Sequence, residues 1–403
     1  NIELTVYKKS RIDQLIPIVC LIMFAFLPTS NNSNIYGTNW VVFVWGIVFI
    51  VVLTIYFKNT TSHNKTLVVL LAFIIYMLII TLSTINSDLD ARISLARIIP
   101  LVLLVIMYSV KIEPSSTFSL MTKLLDIFFI VLIVWNSLIL IDNSFIKSLT
   151  QNYYSQYYDL AIYYSMLRNK PVMSFGVHTY AAYFYSLFFY LSYVTAKFTK
   201  KNKYYVYCIA ATIFSFFLTS NTSLVYSIIM VFMLIRLFFK KPIFMFILLL
   251  LGIIVIVQSY DYLIERYTFM VTQSEISGFT ARYIGENTVF SNNIKIIKSN
   301  YAIGFTIIEN IDLRYSDSGY IVYLTMGNIP LLIAIYYMTF RFLKKNIPRE
   351  FFAFIAFIIF SFELALPATF NYRYFFAMIF IIYYLQLLKI EQAKINNNEI
   401  IAN

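Results

Sequence analysis

Charge is what this sequence has least of. Only 12% of its 403 residues are Asp, Glu, Lys or Arg, about half the share of an ordinary soluble domain. That shortage excludes a conventional water-soluble fold, whose surface needs ionised side chains to face the solvent. Cysteine is nearly absent too. Cys20 and Cys208 are the two in the chain; both lie inside apolar runs, which argues against a disulfide framework and for buried packing. Histidine is as scarce, and His63 and His178 are too few and too far apart in sequence to suggest zinc. No internal repeat, low-complexity stretch or cleavable signal is visible, and no soluble domain is read at either end. The first residue is Asn rather than Met, as a trimmed start or tag would leave it. The first apolar span is expected to act as its own targeting signal.

What the chain has in quantity is hydrophobic and aromatic surface, at 60% and 19% of residues. Runs of about 18 or more apolar residues recur, each long enough to cross the hydrocarbon layer as a helix. The short alternating segments of a lipid-facing barrel are missing. The pattern predicts an all-α polytopic membrane protein, one integral membrane domain over residues 1–403. Its twelve spans fall at roughly 13–30, 40–57, 66–83, 93–110, 124–142, 178–195, 204–220, 222–239, 243–258, 319–338, 351–369 and 374–388. Basic residues recur in every second connector: Lys58 and Lys65, Lys111 and Lys123, Lys197 to Lys203, Lys240 and Lys241, Arg341 to Arg349. The positive-inside rule then puts both termini in the cytoplasm. The net charge of +12 is mostly this topology signal, and it attracts anionic lipid headgroups. Without a soluble basic domain, a nucleic-acid partner is a poor explanation.

Two substantial loops remain for the outer side, about 143–177 and about 258–318. The second is the one large polar insert, and a connection that long is rarely passive. The first loop holds Gln151 to Tyr164, rich in tyrosine. Tyr157 and Tyr158 suit stacking on sugar rings, although with 34 tyrosines in the chain an interfacial aromatic belt is the simpler account of such a cluster. Arg168 and Lys170 follow. An arginine at the mouth of a bundle suits a phosphate, whose oxygens its planar fork binds in pairs; the alternative is snorkelling to the interface. His178 opens the sixth span, as a polar start to the helix or as a ligand. Asp317 precedes the tenth span, either as an N-cap favoured by the helix dipole or as a general base near a substrate hydroxyl. Charges inside spans are costly and tend to line cavities, which singles out Arg97 and Glu363. Asp126 lies near the cytoplasmic end and reads as a helix cap, and Arg373 sits in the outer turn before the last span. The pair Asp88 and Asp90 is a weak signal for a divalent cation.

Longer motifs carry a resemblance. Arg282, then Asn300-Tyr301-Ala302-Ile303-Gly304-Phe305, then Asp317-Ser318-Gly319-Tyr320 with Gly327 further on, resemble the bacterial O-antigen polymerase (Wzy) and O-antigen ligase superfamily. Phe175-Gly176-Val177-His178 is similar to that family's entry to the sixth span, and Leu218-Thr219-Ser220-Asn221 to its Thr-x-Ser-Arg turn. Asn221 and His178 depart from the family's arginine and asparagine. Asp317 stands where the ligases carry a histidine, which favours the polymerase branch.

The resemblance implies a metal-independent glycosyltransferase of the GT-C type, without a cofactor, in the bacterial inner membrane. It implies a donor glycan on undecaprenyl pyrophosphate and a lipid-linked repeat unit as acceptor, and leaves a chain-length-regulating partner open. On that reading Arg282, Arg168, Arg314 and Arg373 hold the pyrophosphate. Asp317 is the base with Glu286 behind it, and Tyr157, Tyr158, His178 and Tyr320 face the glycan. A guanidinium can stabilise the charge that develops on a leaving pyrophosphate in place of a metal ion. The alternatives are a ligase, and a flippase or transporter of lipid-linked oligosaccharide, which often shows repeat symmetry absent here.

Overall fold

A computed structural model describes residues 11–26, 47, 51, 111–114, 116–151, 166–239, 318–365 and 372–402, with isolated positions between 242 and 291. Among the described residues there is no strand. In chain order they form α1 (Arg11–Ala25), α2 (Phe118–Leu140), α3 (Ser144–Leu149), a 3-10 turn (Met173–Phe175), α4 (His178–Thr199) and α5 (Asn202–Phe217). Then follow α6 (Asn221–Phe238), α7 (Gly319–Asn346), α8 (Arg349–Phe362) and α9 (Tyr372–Ala402). The fold is all-helical, as the composition predicts.

The described bundle is centred on α4. Each residue from Ala181 to Ala196 is buried, the signature of a helix covered on every face. Helices α5, α6, α8 and α9 lie against it, while α1 runs along α9 and α2 bridges α1, α5 and α9. Aromatic rings fill the seams. Phe24 of α1 stacks on Phe188 of α4 at 4.9 Å, and Phe128 of α2 reaches the same ring at 4.0 Å.

Two of these helices, Phe118–Leu140 and Arg373–Ile395, are long and apolar enough to cross a membrane, with Gln14–Ala25 and Thr222–Phe238 shorter apolar helices. Helix α4 has the length, about 33 Å, but Tyr180, Tyr183, Tyr185, Tyr190 and Tyr193 make it less apolar. The outward faces are hydrophobic as well. On α2, Ile127, Ile130 and Val134 are exposed opposite buried Leu125, Phe128 and Leu132; on α6, Val225, Ile228, Phe232 and Ile235 are exposed at helical spacing. An apolar stripe on the outside as well as the inside suits a non-aqueous surrounding.

Several ends differ from the sequence expectation. Helix α2 starts at Phe118 because the Thr117 hydroxyl accepts from the Leu120 N–H at 3.2 Å. Asp126 is therefore no cap: it lies within α2 and accepts from Lys203 Nζ of α5 at 2.5 Å. Helix α8 stops at Phe362, where Glu363 is the C-cap and a turn follows. Glu363 is thus at the end of its helix and not within it. The turn before α6 is closed by reciprocal bonds between Ser220 and Ser223. Cys20 and Cys208 are free and buried.

Helix direction sorts the chemistry into two poles. The ends of α1, α2, α5 and α8 meet the starts of α4, α6, α7 and α9 at one pole, through bonds such as Ser215 to Ser223, Tyr226 to Ser361 and Arg373 to Ser174. At the opposite pole lie the described Lys197, Lys200, Lys201, Lys203, Arg341, Lys344, Lys345, Lys389 and Lys394. Asn346 ties that end together, accepting the Ile112 N–H at its side chain (2.6 Å) and Gln386 Nε2 at its carbonyl (2.6 Å).

Candidate functional site

The stretch before α4 does not behave as an exposed loop. Residues 170–176 are buried although none is α-helical. Backbone groups in such a place must find partners inside the protein. A buried amide of α2, Asn136, is central to supplying them. Asn136 Oδ1 accepts the Met173 N–H at 3.0 Å, its Nδ2 donates to the Tyr185 hydroxyl at 2.7 Å, and that hydroxyl donates to the Pro171 carbonyl at 2.7 Å. The Ser174 hydroxyl donates to the carbonyl of Ala25, at the end of α1. Gly176 adopts φ 75°, a conformation glycine reaches without strain, and this turns the chain into α4. The other end of the segment is fastened where Lys147 of α3 donates to Asn169 at 2.8 Å and to Asp142.

Arg373, in the first turn of α9, is drawn onto this segment. It is fully buried. Its Nη2 donates to the Ser174 carbonyl at 2.9 Å, and its guanidinium carbon lies 5.1 Å from the centre of the Phe175 ring. A charge-assisted bond contributes about 1.5–3 kcal/mol, and a desolvated cation over an aromatic face about 2 more. Such a group is expensive to bury and is usually there for a reason.

A buried acid lies at the same pole. The Glu363 side chain accepts from the Tyr336 hydroxyl at 3.0 Å, and its backbone carbonyl accepts the Gly319 N–H at 2.7 Å and the Ser318 hydroxyl at 3.3 Å. Glu363 thereby joins the end of α8 to the start of α7. The N-cap of α7 is Ser318, whose side chain makes this bond in place of a cap bond. The capping position expected for Asp317 is therefore occupied by its neighbour. Tyrosines crowd the acid: Tyr320 stacks on Tyr336 at 4.6 Å, Tyr323 meets Tyr336 edge-on at 5.6 Å, and Tyr320 donates to the Phe360 carbonyl at 2.8 Å.

Of the residues singled out from sequence, the structure brings His178, Tyr320, Glu363 and Arg373 to one pole. His178 is the first residue of α4 and half-buried, and Tyr320 is half-buried in the first turn of α7. Arg168 is exposed in the turn six residues before Ser174, at the surface where Arg373 is inside. Tyr157, Tyr158, Arg282, Glu286, Arg314, Asp317, Arg97, Asp88 and Asp90 lie outside the described residues. Sequence reasoning missed Asn136, Tyr183, Tyr185, Tyr336 and Tyr374. For Asn136 a signal existed, the one side-chain amide in a long, largely apolar span; four tyrosines among 34 gave none. Among the described residues, no group of three or more His, Cys, Asp or Glu is placed to hold a metal ion.

Compared with protein-family models, curated proteins and solved structures, the chain matches none of them. The chemistry must be read from the site itself. It offers a buried guanidinium, a buried carboxyl group and many phenols at one end of a helical bundle with apolar outer faces. Such a set can hold an anion, accept a hydroxyl's hydrogen bond and stack on a flat ring.

Proposed function

We propose that this chain is a polysaccharide polymerase of the bacterial inner membrane, with the twelve spans and cytoplasmic termini read from the sequence. It transfers a growing glycan from undecaprenyl pyrophosphate onto a lipid-linked repeat unit at the outer face. The observation that carries the reading is Arg373, fully buried yet anchored on Ser174 and Phe175, at the pole it shares with Glu363. A preorganised guanidinium in a water-poor setting stabilises charge as it develops on the departing pyrophosphate. The acceptor hydroxyl loses its proton to a carboxylate as the new glycosidic bond forms, and Asp317 fills that role, with Arg282 and Arg314 completing the anion site. The basic opposite pole fits a cytoplasmic face, and on this reading the Arg373 pole faces outward. The apolar outer faces of α2 and α6 leave room for two lipid tails beside the bundle.

The test is reconstitution. Purified protein is given undecaprenyl-pyrophosphate-linked repeat units in detergent, and the products are separated by size. A ladder of longer glycans supports the polymerase. Transfer of one glycan to a different acceptor would make it a ligase, and unchanged glycan that moves across a vesicle membrane would make it a carrier.

A further inference from the structure

The hydroxyls of Tyr183 in α4 and Tyr374 in α9 are buried and have no hydrogen-bond partner. Buried phenols almost always find one, so two at the same pole form an exception that asks for a ligand. Both lie within electrostatic range of the Glu363 carboxyl and of each other. Tyr323 and Tyr336 lie in the same field. The group is therefore a carboxyl that accepts, two donors with nothing to donate to, and ring faces around them. Tyr183 meets Phe362 edge-on at 4.9 Å, and Tyr226 stacks on Phe362 at 3.9 Å. We propose that Glu363, Tyr183 and Tyr374 form a subsite for a sugar ring, with a ring hydroxyl donating to the carboxyl and accepting from the phenols. A hydroxyl suits this set because it donates and accepts at once, and a pyranose face suits the surrounding rings. Tyr180, Tyr320 and Tyr336 are only half-buried, so the way in passes them, with the Tyr320–Tyr336 stack as the element displaced on entry.

The proposal rests on the glycan reading above, in that it places a sugar of the lipid-linked substrate beside Arg373. It is tested separately from that reading. The full chain in detergent is titrated with two probes, a panel of free hexoses and N-acetylhexosamines, and inorganic pyrophosphate, with thermal melting as the readout. The variants are Tyr183→Phe and Tyr374→Phe, which keep the packing and remove one hydroxyl each. The expected result is that at least one sugar raises the melting temperature of the wild type at millimolar concentration. Each variant then needs roughly 3- to 10-fold more of that sugar, the worth of one hydrogen bond, while its response to pyrophosphate is unchanged. Equal sugar response in wild type and both variants would overturn the subsite and leave the polymerase reading standing. So would the absence of any response to the whole sugar panel, since the cluster would then hold no sugar. Sugar binding that needs both phenols, in a protein that builds no ladder from repeat units, would keep the subsite and remove the polymerase.

Discussion

Replacing Asn136 by alanine should unfasten the site without touching any residue that meets substrate. The amide makes two buried hydrogen bonds, to the Met173 N–H and to the Tyr185 hydroxyl. Tyr185 keeps a second partner, the Pro171 carbonyl, so its loss is about 1 kcal/mol. The Met173 N–H is left buried without an acceptor, which costs about 1–3 kcal/mol. The sum is a destabilisation of about 2–4 kcal/mol, large against the usual 5–15 kcal/mol of a folded domain. The effect should reach function, because the segment that Asn136 holds presents the Ser174 carbonyl to Arg373. Reversible denaturation in mild detergent measures the stability, and size analysis of reconstituted product measures the chain extension. A cycle with Tyr185→Phe adds a stricter check, since residues in contact should couple and the double variant should lose less than the sum. Wild-type stability in Asn136→Ala, or strict additivity in the cycle, would refute the claim that this amide supports the buried segment.

Arg373→Lys keeps the charge but loses the planar fork, so chain extension should fall about 10- to 100-fold with the protein still folded; unchanged product length and rate would remove Arg373 from the anion site. Arg282→Ala should abolish extension with expression intact. Asp317→Asn should cut turnover far more than donor binding, as separate binding and rate measurements would show, and wild-type turnover would exclude it as the base. Lys200 ends α4 with φ 55° in the left-handed region and is exposed. Lys200→Gly should therefore raise stability by about 0.5–1 kcal/mol, read by the same denaturation experiment, and a loss would show that the side chain makes a contact worth more than the strain.

The helices were legible where the hydrophobic pattern was long, as in α2, α4, α6 and α9. Their ends were less so, because caps decide them: Thr117 moves the start of α2 outward and Glu363 halts α8 early. Arg373 and Glu363 were recognisable as costly charges near or within spans, yet neither partner could be named beforehand. Ser174 lies 199 positions from Arg373, and Tyr336 lies 27 from Glu363. No periodicity within a single segment encodes such pairings.

Composition by itself determined that this is a helical protein with too little charge for an aqueous surface, since hydrophobicity sums along the chain whatever its fold. Tertiary structure alone decided that a stretch read as outer loop is folded inward, and that a guanidinium, a carboxyl and two unpaired phenols share one end of the bundle. The physical reason is that solvation is a property of each residue, whereas satisfying a buried polar group is a property of the neighbours that packing brings to it.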